Sequence, residues 1–175
     1  MKVLARYFNI YLALALLPAL VAGCETDKKK GQTAALRVHI EATPDSTGTT
    51  QPISVLRSDP VLVTIKKDPI LTEANLITAK VIEAQGGFAL EFRFDENGTW
   101  LLEQYTAANT GRHLVVFGQW GEKHSDGRWL AAPFISRRIS DGVLDFTPDC
   151  SREEADQLVA GVNAATKQIH KGLLK

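Results

Sequence analysis

The stretch Phe88 to Phe94 constrains this chain most: Phe88, Leu90, Phe92 and Phe94 alternate with Ala89, Glu91 and Arg93. Successive side chains of a strand point to opposite faces, so this period of two predicts a half-buried strand with three aromatic rings on one side. Such a face needs a second layer to cover it. Similar alternation sets Leu36, Val38 and Ile40 against Arg37, His39 and Glu41, which turns His39 outward, and marks Val61, Val63 and Ile65 as another strand. Leu76 to Glu83 reads as a less regular strand, and the apolar Leu114 to Phe117 suits one covered on both faces. Thr43 to Pro52, TPDSTGTTQP, is expected to be a loop, as is the polar stretch Gly118 to Arg128. Leu130 to Ile139 and Val143 to Phe146 are read as strands joined by the turn Ser140-Asp141-Gly142.

Twice the period lengthens. Leu101, Tyr105 and Ala108 stand at helical spacing after Asp95-Glu96-Asn97-Gly98, and Asn109-Thr110-Gly111 supplies a helix stop. Near the C-terminus Ser151 and Glu154 form a capping box, followed by the stripe Ala155, Leu158, Val159, Val162, Ala165 and Ile169. Lys167, His170 and Lys171 suit the negative end of that helix dipole. A run of strands with two helices among them implies an α+β fold, a mostly antiparallel sheet with two helices packed on one face as a two-layer sandwich.

At the other end, Lys2 and Arg6 precede the 13-residue apolar segment Ile10 to Ala22. A bilayer-crossing helix needs about 20 such residues, so the segment has the shape of a secretory signal. The run Val21-Ala22-Gly23-Cys24 resembles the bacterial lipobox, and that resemblance implies Cys24 as the lipid attachment site. Residues 1–23 are then a lipoprotein signal peptide, 24–34 a lipidated tether containing Lys28, Lys29 and Lys30, and 35–172 the folded domain. Each buried methylene of a palmitate-type chain adds about 0.8 kcal/mol of membrane affinity. An ordinary secretory signal ending elsewhere is the alternative.

Removing residues 1–23 leaves 152 residues, enough for one domain with a core, and lowers the formal net charge from zero to −2. Nucleic-acid binding calls for clustered positive charge, so no nucleic-acid partner is expected. Cys150, left without an intrachain partner, reads as a buried and inert thiol in acidic surroundings.

Other groups invite a chemical reading. Glu122, His124 and Asp126 in GEKHSDGR match no recognised metal-ligand spacing. Glu153, Glu154 and Asp156 occupy a helix start, where negative charge is favourable in any case. The chain has no GxSxG, HExxH, CxxC or phosphate-loop motif. No catalytic residue, cofactor, metal or small-molecule substrate is therefore expected. Trp100 is read as core or core edge. Trp120 and Trp129 bracket the polar loop and are candidates for partner contact, with packing of the loop onto the domain as the alternative.

The ordered segments PVLVTIKKDPILTEANLITAKV, GGFALEFRFDENGTWLLEQYTAANTGRHLVVF and AAPFISRRISDGVLDFTPDCSREEADQLVAGV resemble the head subdomain of the first periplasmic domain of SecD, of the SecDF export accessory family, over about Leu36 to Ala164. The most specific parts are TAANTGR at Thr106 to Arg112, Ala132-Pro133-Phe134-Ile135, the Ile139 to Gly142 turn, and the Ser151 to Leu158 helix start. The chain departs from the family in a longer polar segment at Gly118 to Trp129, and in Thr147 to Cys150 where a glycine usually precedes the capping serine.

The resemblance implies a non-enzymatic binding or accessory module that handles extended polypeptide or docks onto Sec translocon subunits. In SecD the head is carried on membrane helices that, with SecF, use the proton gradient. No second apolar run here approaches membrane-spanning length, so a proton-driven motor is not expected of this chain alone. Its expected place is the bacterial cell envelope, lipid-anchored and facing the periplasm or the outer side of the cytoplasmic membrane. One mechanism is addition of a passing chain to an exposed sheet edge. The alternative is a structural or adaptor lipoprotein that binds another envelope protein or polymer and is unrelated to secretion.

Overall fold

The structure, a computed structural model, describes residues 34–121 and 124–173. The signal segment 1–23, Cys24 with the tether as far as Thr33, and Glu122 lie outside the described residues, whereas Ala34, given to the tether, is 2% exposed in the main core. Among the described residues nine strands pair antiparallel into three sheets. A four-stranded sheet has the order β4 (Leu71–Thr72), β1 (Ala35–Ile40), β7 (Leu114–Trp120), β8 (Asp126–Ala131). Strands β5 (Leu76–Ala84), β6 (Gly87–Phe94) and β9 (Val143–Phe146) form a three-stranded sheet in that order, and β2 (Thr50–Val55) pairs with β3 (Val61–Lys66) in a separate hairpin. Among the described residues the α-helices are α1 (Glu96–Ala108) and α2 (Arg152–Leu173), and a 3-10 turn spans Glu73–Asn75. The fold is α+β as expected, with the strands divided among three sheets.

Helix starts follow the local chemistry. Asp95 caps α1 by accepting the Gly98 N–H at 2.7 Å. Before α2, Ser151 Oγ accepts the Glu154 N–H at 3.2 Å while Glu154 accepts the Ser151 N–H at 2.8 Å, completing the capping box.

The main core collects Leu36, Val38, Leu90, Phe92, Leu102, Leu158 and Val162 among others, so both helices contribute to it. The expected α2 stripe is there, with Ala155, Leu158, Val162 and Ala165 buried. A second, smaller cluster of Val55, Val63, Ile65 and Val115, with Ile53, Trp129 and Ala132 against it, lies between the hairpin and the opposite face of the four-stranded sheet.

Several expectations are corrected, the first two by that second cluster. His39 does point away from the main core, but the hairpin covers that face and leaves the residue 4% exposed. Part of the loop expected at Thr43 to Pro52 is the start of β2. Gly118 to Arg128 is mostly strand, because β7 runs on to Trp120 and β8 begins at Asp126. Only the first residues of the expected Leu130 to Ile139 strand pair; after Ala131 a single bridge, His113 to Phe134, remains. Helix α1 buries Gly98, Leu102 and Thr106 in place of Leu101, Tyr105 and Ala108. Trp100, expected at the core, is 58% exposed.

Candidate binding surface

The strap of residues 132–142 departs from β8 and leaves a cleft of about 370 Å3 along β9, lined by Phe134, Ile135, Arg137, Arg138, Val143 and Asp145 among others. Pro133 explains part of the departure, since it has no N–H to give a ladder. Three backbone bonds hold the strap to the chain entering β7: Leu114 N–H donates to the Pro133 carbonyl at 3.0 Å, Ile135 N–H to the Arg112 carbonyl at 2.8 Å and Gly111 N–H to the Ile135 carbonyl at 2.9 Å. Further on, Ile139 N–H donates at 2.9 Å to Thr106 Oγ1, whose own proton goes to the Leu102 carbonyl at 2.7 Å. This relay is why a threonine can occupy the buried face of α1. Arg138 pairs with Glu103 at 3.2 Å.

The cleft's other wall is a sheet edge. Strand β9 pairs with β6 and has no second neighbouring strand among the described residues. The far edge of the same sheet, β5, is occupied by α2: Ala79 N–H donates to Asn163 Oδ1 at 2.8 Å, and Asn163 Nδ2 donates to the Ala79 carbonyl at 2.9 Å. One edge is thus satisfied by a side-chain amide that imitates a strand; on the other, Val143 N–H donates to Asp141 Oδ1 at 3.2 Å, and Val143 and Asp145 line the cleft. Charge there is mixed. Partial burial, then the carboxylates of Glu91 and Asp141, raise the Asp145 carboxyl pKa above its ordinary value, against the opposing effect of Arg93. At the rim Phe134 is 59% exposed and meets the His113 ring edge-on at 5.5 Å. His113 is fixed in turn by Glu41, whose carboxylate lies 2.7 Å from Nδ1 and accepts the His113 N–H at 2.8 Å.

The two tryptophan candidates separate. Trp120 is 2% exposed in the main core, under the Arg128 guanidinium, which stands 5.1 Å from the ring and pairs with Glu154 at 2.6 Å. A side chain so placed offers no free contact surface, which corrects the exposed-surface reading for this residue. Trp129 is half-buried on the opposite face, edge-on to His39 and Phe117 at 5.3 and 5.0 Å. It lines a second, shallower groove with Arg37, Gln51, Lys67 and Pro69.

The remaining candidates have structural placements. The His124 carbonyl accepts from the Gln119 side chain at 2.9 Å. Among the described residues no group of three or more His, Cys, Asp and Glu is arranged to hold a metal ion. Glu154 serves the cap and Arg128. Cys150 packs against the main core, and burial, reinforced by Glu154, pushes its thiol up to about 11, in the direction its acidic neighbours suggest.

The model of the SecDF P1 head subdomain matches residues 49–166, more than half of the chain. Two solved structures share the fold. One, described as "Structure and function of a membrane component SecDF that enhances protein export", is 22% identical with a TM-score of 0.53, over 78% of this chain and 65% of that one. The other, "Crystal structure of SecDF in Super-membrane-facing form", is 22% identical with a TM-score of 0.54, over 78% of this chain and 20% of that one. This chain therefore spans just under two thirds of the first and a fifth of the second. A comparison with curated proteins finds no match. Among the described residues no helix is long and apolar enough to cross a membrane.

Proposed function

This chain belongs to the SecDF P1 head subdomain family, and we propose that it is a non-catalytic accessory module of protein export, held at the envelope membrane by lipid on Cys24. In this reading residues 1–23 direct export and are removed, 24–34 tether the domain, and 35–172 face the periplasm or the outer side of the cytoplasmic membrane. The partner is an exported polypeptide in extended form, with Sec translocon subunits delivering it. The observation that carries the reading is the β9 edge beside a cleft in a family whose solved member is described as enhancing protein export. A strand added to such an edge is bound through its main chain, which gives affinity with little demand on sequence. Phe134 at the rim supplies an aromatic contact for alternate side chains.

The binding step is tested by adding an unfolded exported polypeptide to the isotopically labelled chain. Amide shifts concentrated at Val143–Phe146 and in 134–139 are expected; shifts confined to other strands would remove the edge from consideration. The anchor is tested separately. A Cys24→Ala variant is expected to lose incorporation of labelled palmitate and to leave the membrane fraction, and unchanged labelling would refute the attachment site.

A further inference from the structure

We propose that the β2–β3 hairpin is an acid-released flap, latched over the four-stranded sheet by a neutral His39 and uncovering Trp129 when His39 takes up a proton.

The hairpin is a separate sheet joined to the main body by the small second cluster, by a bridge between Ile65 and Glu41 just beyond β1, by the Ala42 N–H bond to the Thr64 carbonyl at 2.8 Å and by Arg57 with Asp149 at its tip. His39 lies inside that junction. It projects from β1 on the covered face, where its Nδ1 donates to the carbonyl of Lys66, the last residue of β3, at 2.9 Å. Its ring meets Trp129 of β8 edge-on at 5.3 Å. The latch thus ties β1, β3 and β8 through a single imidazole that is 4% exposed.

The charged neighbours do not compensate a second proton there. Arg37 on β1 and Lys67 just beyond β3 share the adjoining groove, which also holds the uncharged Gln51 of β2 and Phe117 of β7. Asp68 is the acidic group acting on His39, and Glu41 is engaged by His113 at the far end of β1. Burial lowers the His39 pKa most; the Lys66 carbonyl raises it, Arg37 lowers it and Asp68 raises it, for a net fall below 6.5.

The sign follows from linkage. With the flap open, His39 is solvated and titrates near 6.5; with it closed, the pKa is lower. As pH falls through 6.5 the open state binds a proton that the closed state excludes, so closure weakens, and it goes on weakening until the closed-state value is reached. One proton changes the opening equilibrium by at most about tenfold per pH unit.

Opening frees the surface that the hairpin covers, Val115 and Trp129. The tryptophan bracketing the β7–β8 connection is then a conditional contact surface, half-buried at neutral pH and fully offered in acid.

Hydrogen exchange on the full chain, corrected for intrinsic rates, tests this between pH 7.5 and 5.0. Protection of Ile53, Val63 and Ile65 amides is expected to fall several-fold to tenfold relative to β6 and α2. His39→Gln, which retains a donor for the Lys66 carbonyl, is expected to flatten that dependence, and His113→Gln to preserve it. Should His39→Gln fold poorly, the wild-type His39 ring is titrated by NMR, and a midpoint below that of a solvated histidine is expected. Hairpin protection that tracks β6 at every pH, a His39→Gln variant that keeps the dependence, or its loss in His113→Gln would each overturn the flap.

Discussion

The main core and the hairpin cluster are built from the same residue types and differ in how many elements enforce them. Leu36, Phe92, Leu102 and Leu158 come from two sheets and two helices. The hairpin cluster has four fully buried members, and a histidine and half-buried tryptophan complete its floor. The first arrangement fixes a fold, because removing one side chain leaves many others holding the same geometry. The second leaves an element that polar groups at its margins must hold down: His39 beneath β3, and at the hairpin's connecting end Arg57, whose N–H donates to Asp149 at 2.8 Å. Burial of apolar area weakens in proportion as the cluster shrinks.

Phe92→Ala removes a fully buried ring that meets Phe146 edge-on at 5.3 Å, and is expected to cost about 3–5 kcal/mol in denaturant unfolding. A loss well under that range would mean the core is less over-determined than its composition implies. Ile65→Ala, at the centre of the small cluster, is expected near the lower end for such a truncation, about 2 kcal/mol, with exchange protection lost first in β2 and β3. Equal loss of protection in α2 would erase the distinction between the regions.

Gly118 sharpens the comparison from the other direction. A Cβ there would stand 2.7 Å from Leu130 Cδ1 and 3.1 Å from Leu158 Cδ2, so Gly118→Ala is expected to overpack the β7–α2 contact at about 1–3 kcal/mol. A neutral effect on the unfolding midpoint would show slack where close packing is claimed. The smallest effect concerns Cys150 at the edge of the same core. With its thiol pushed up to about 11, alkylation at pH 8 is expected to be far slower than for a free cysteine and to rise steeply only above pH 9. Rapid labelling at pH 8 would mean that this margin opens as readily as the hairpin.

Much of the main core was legible because its signals are local. The alternation of β6 and the capping box and stripe of α2 depend on neighbouring residues alone. The misplaced features depend on contacts distant in sequence. Strand β2 carries Pro52 and polar residues, and its pairing with β3 and the packing of Ile53 and Val55 over the four-stranded sheet distinguish it from a loop. His39 sits on the predicted face, but what covers that face could not be read from β1. For Trp120 a usable signal existed: continuing the alternation of Val116 and Gly118 by two more residues puts it on the buried face. Helix α1 turned one residue from the expected face because adjacent leucines, Leu101 and Leu102, leave the choice to Thr106, whose hydroxyl is satisfied only in three dimensions. The cleft along β9 was missed for a related reason: a strand was expected where Pro133 and the strap's bonds to β7 hold the chain away.

The most direct measurement is photocrosslinking in the native organism from a photoreactive residue at Phe134, with a second at the equally exposed Trp100 as the reference position. Capture of exported chains in transit or of Sec subunits at Phe134, and not at Trp100, is the expected result. Capture of a single stable envelope protein at Phe134, with no export substrate or Sec subunit, would contradict it and leave an adaptor that uses this fold for another purpose.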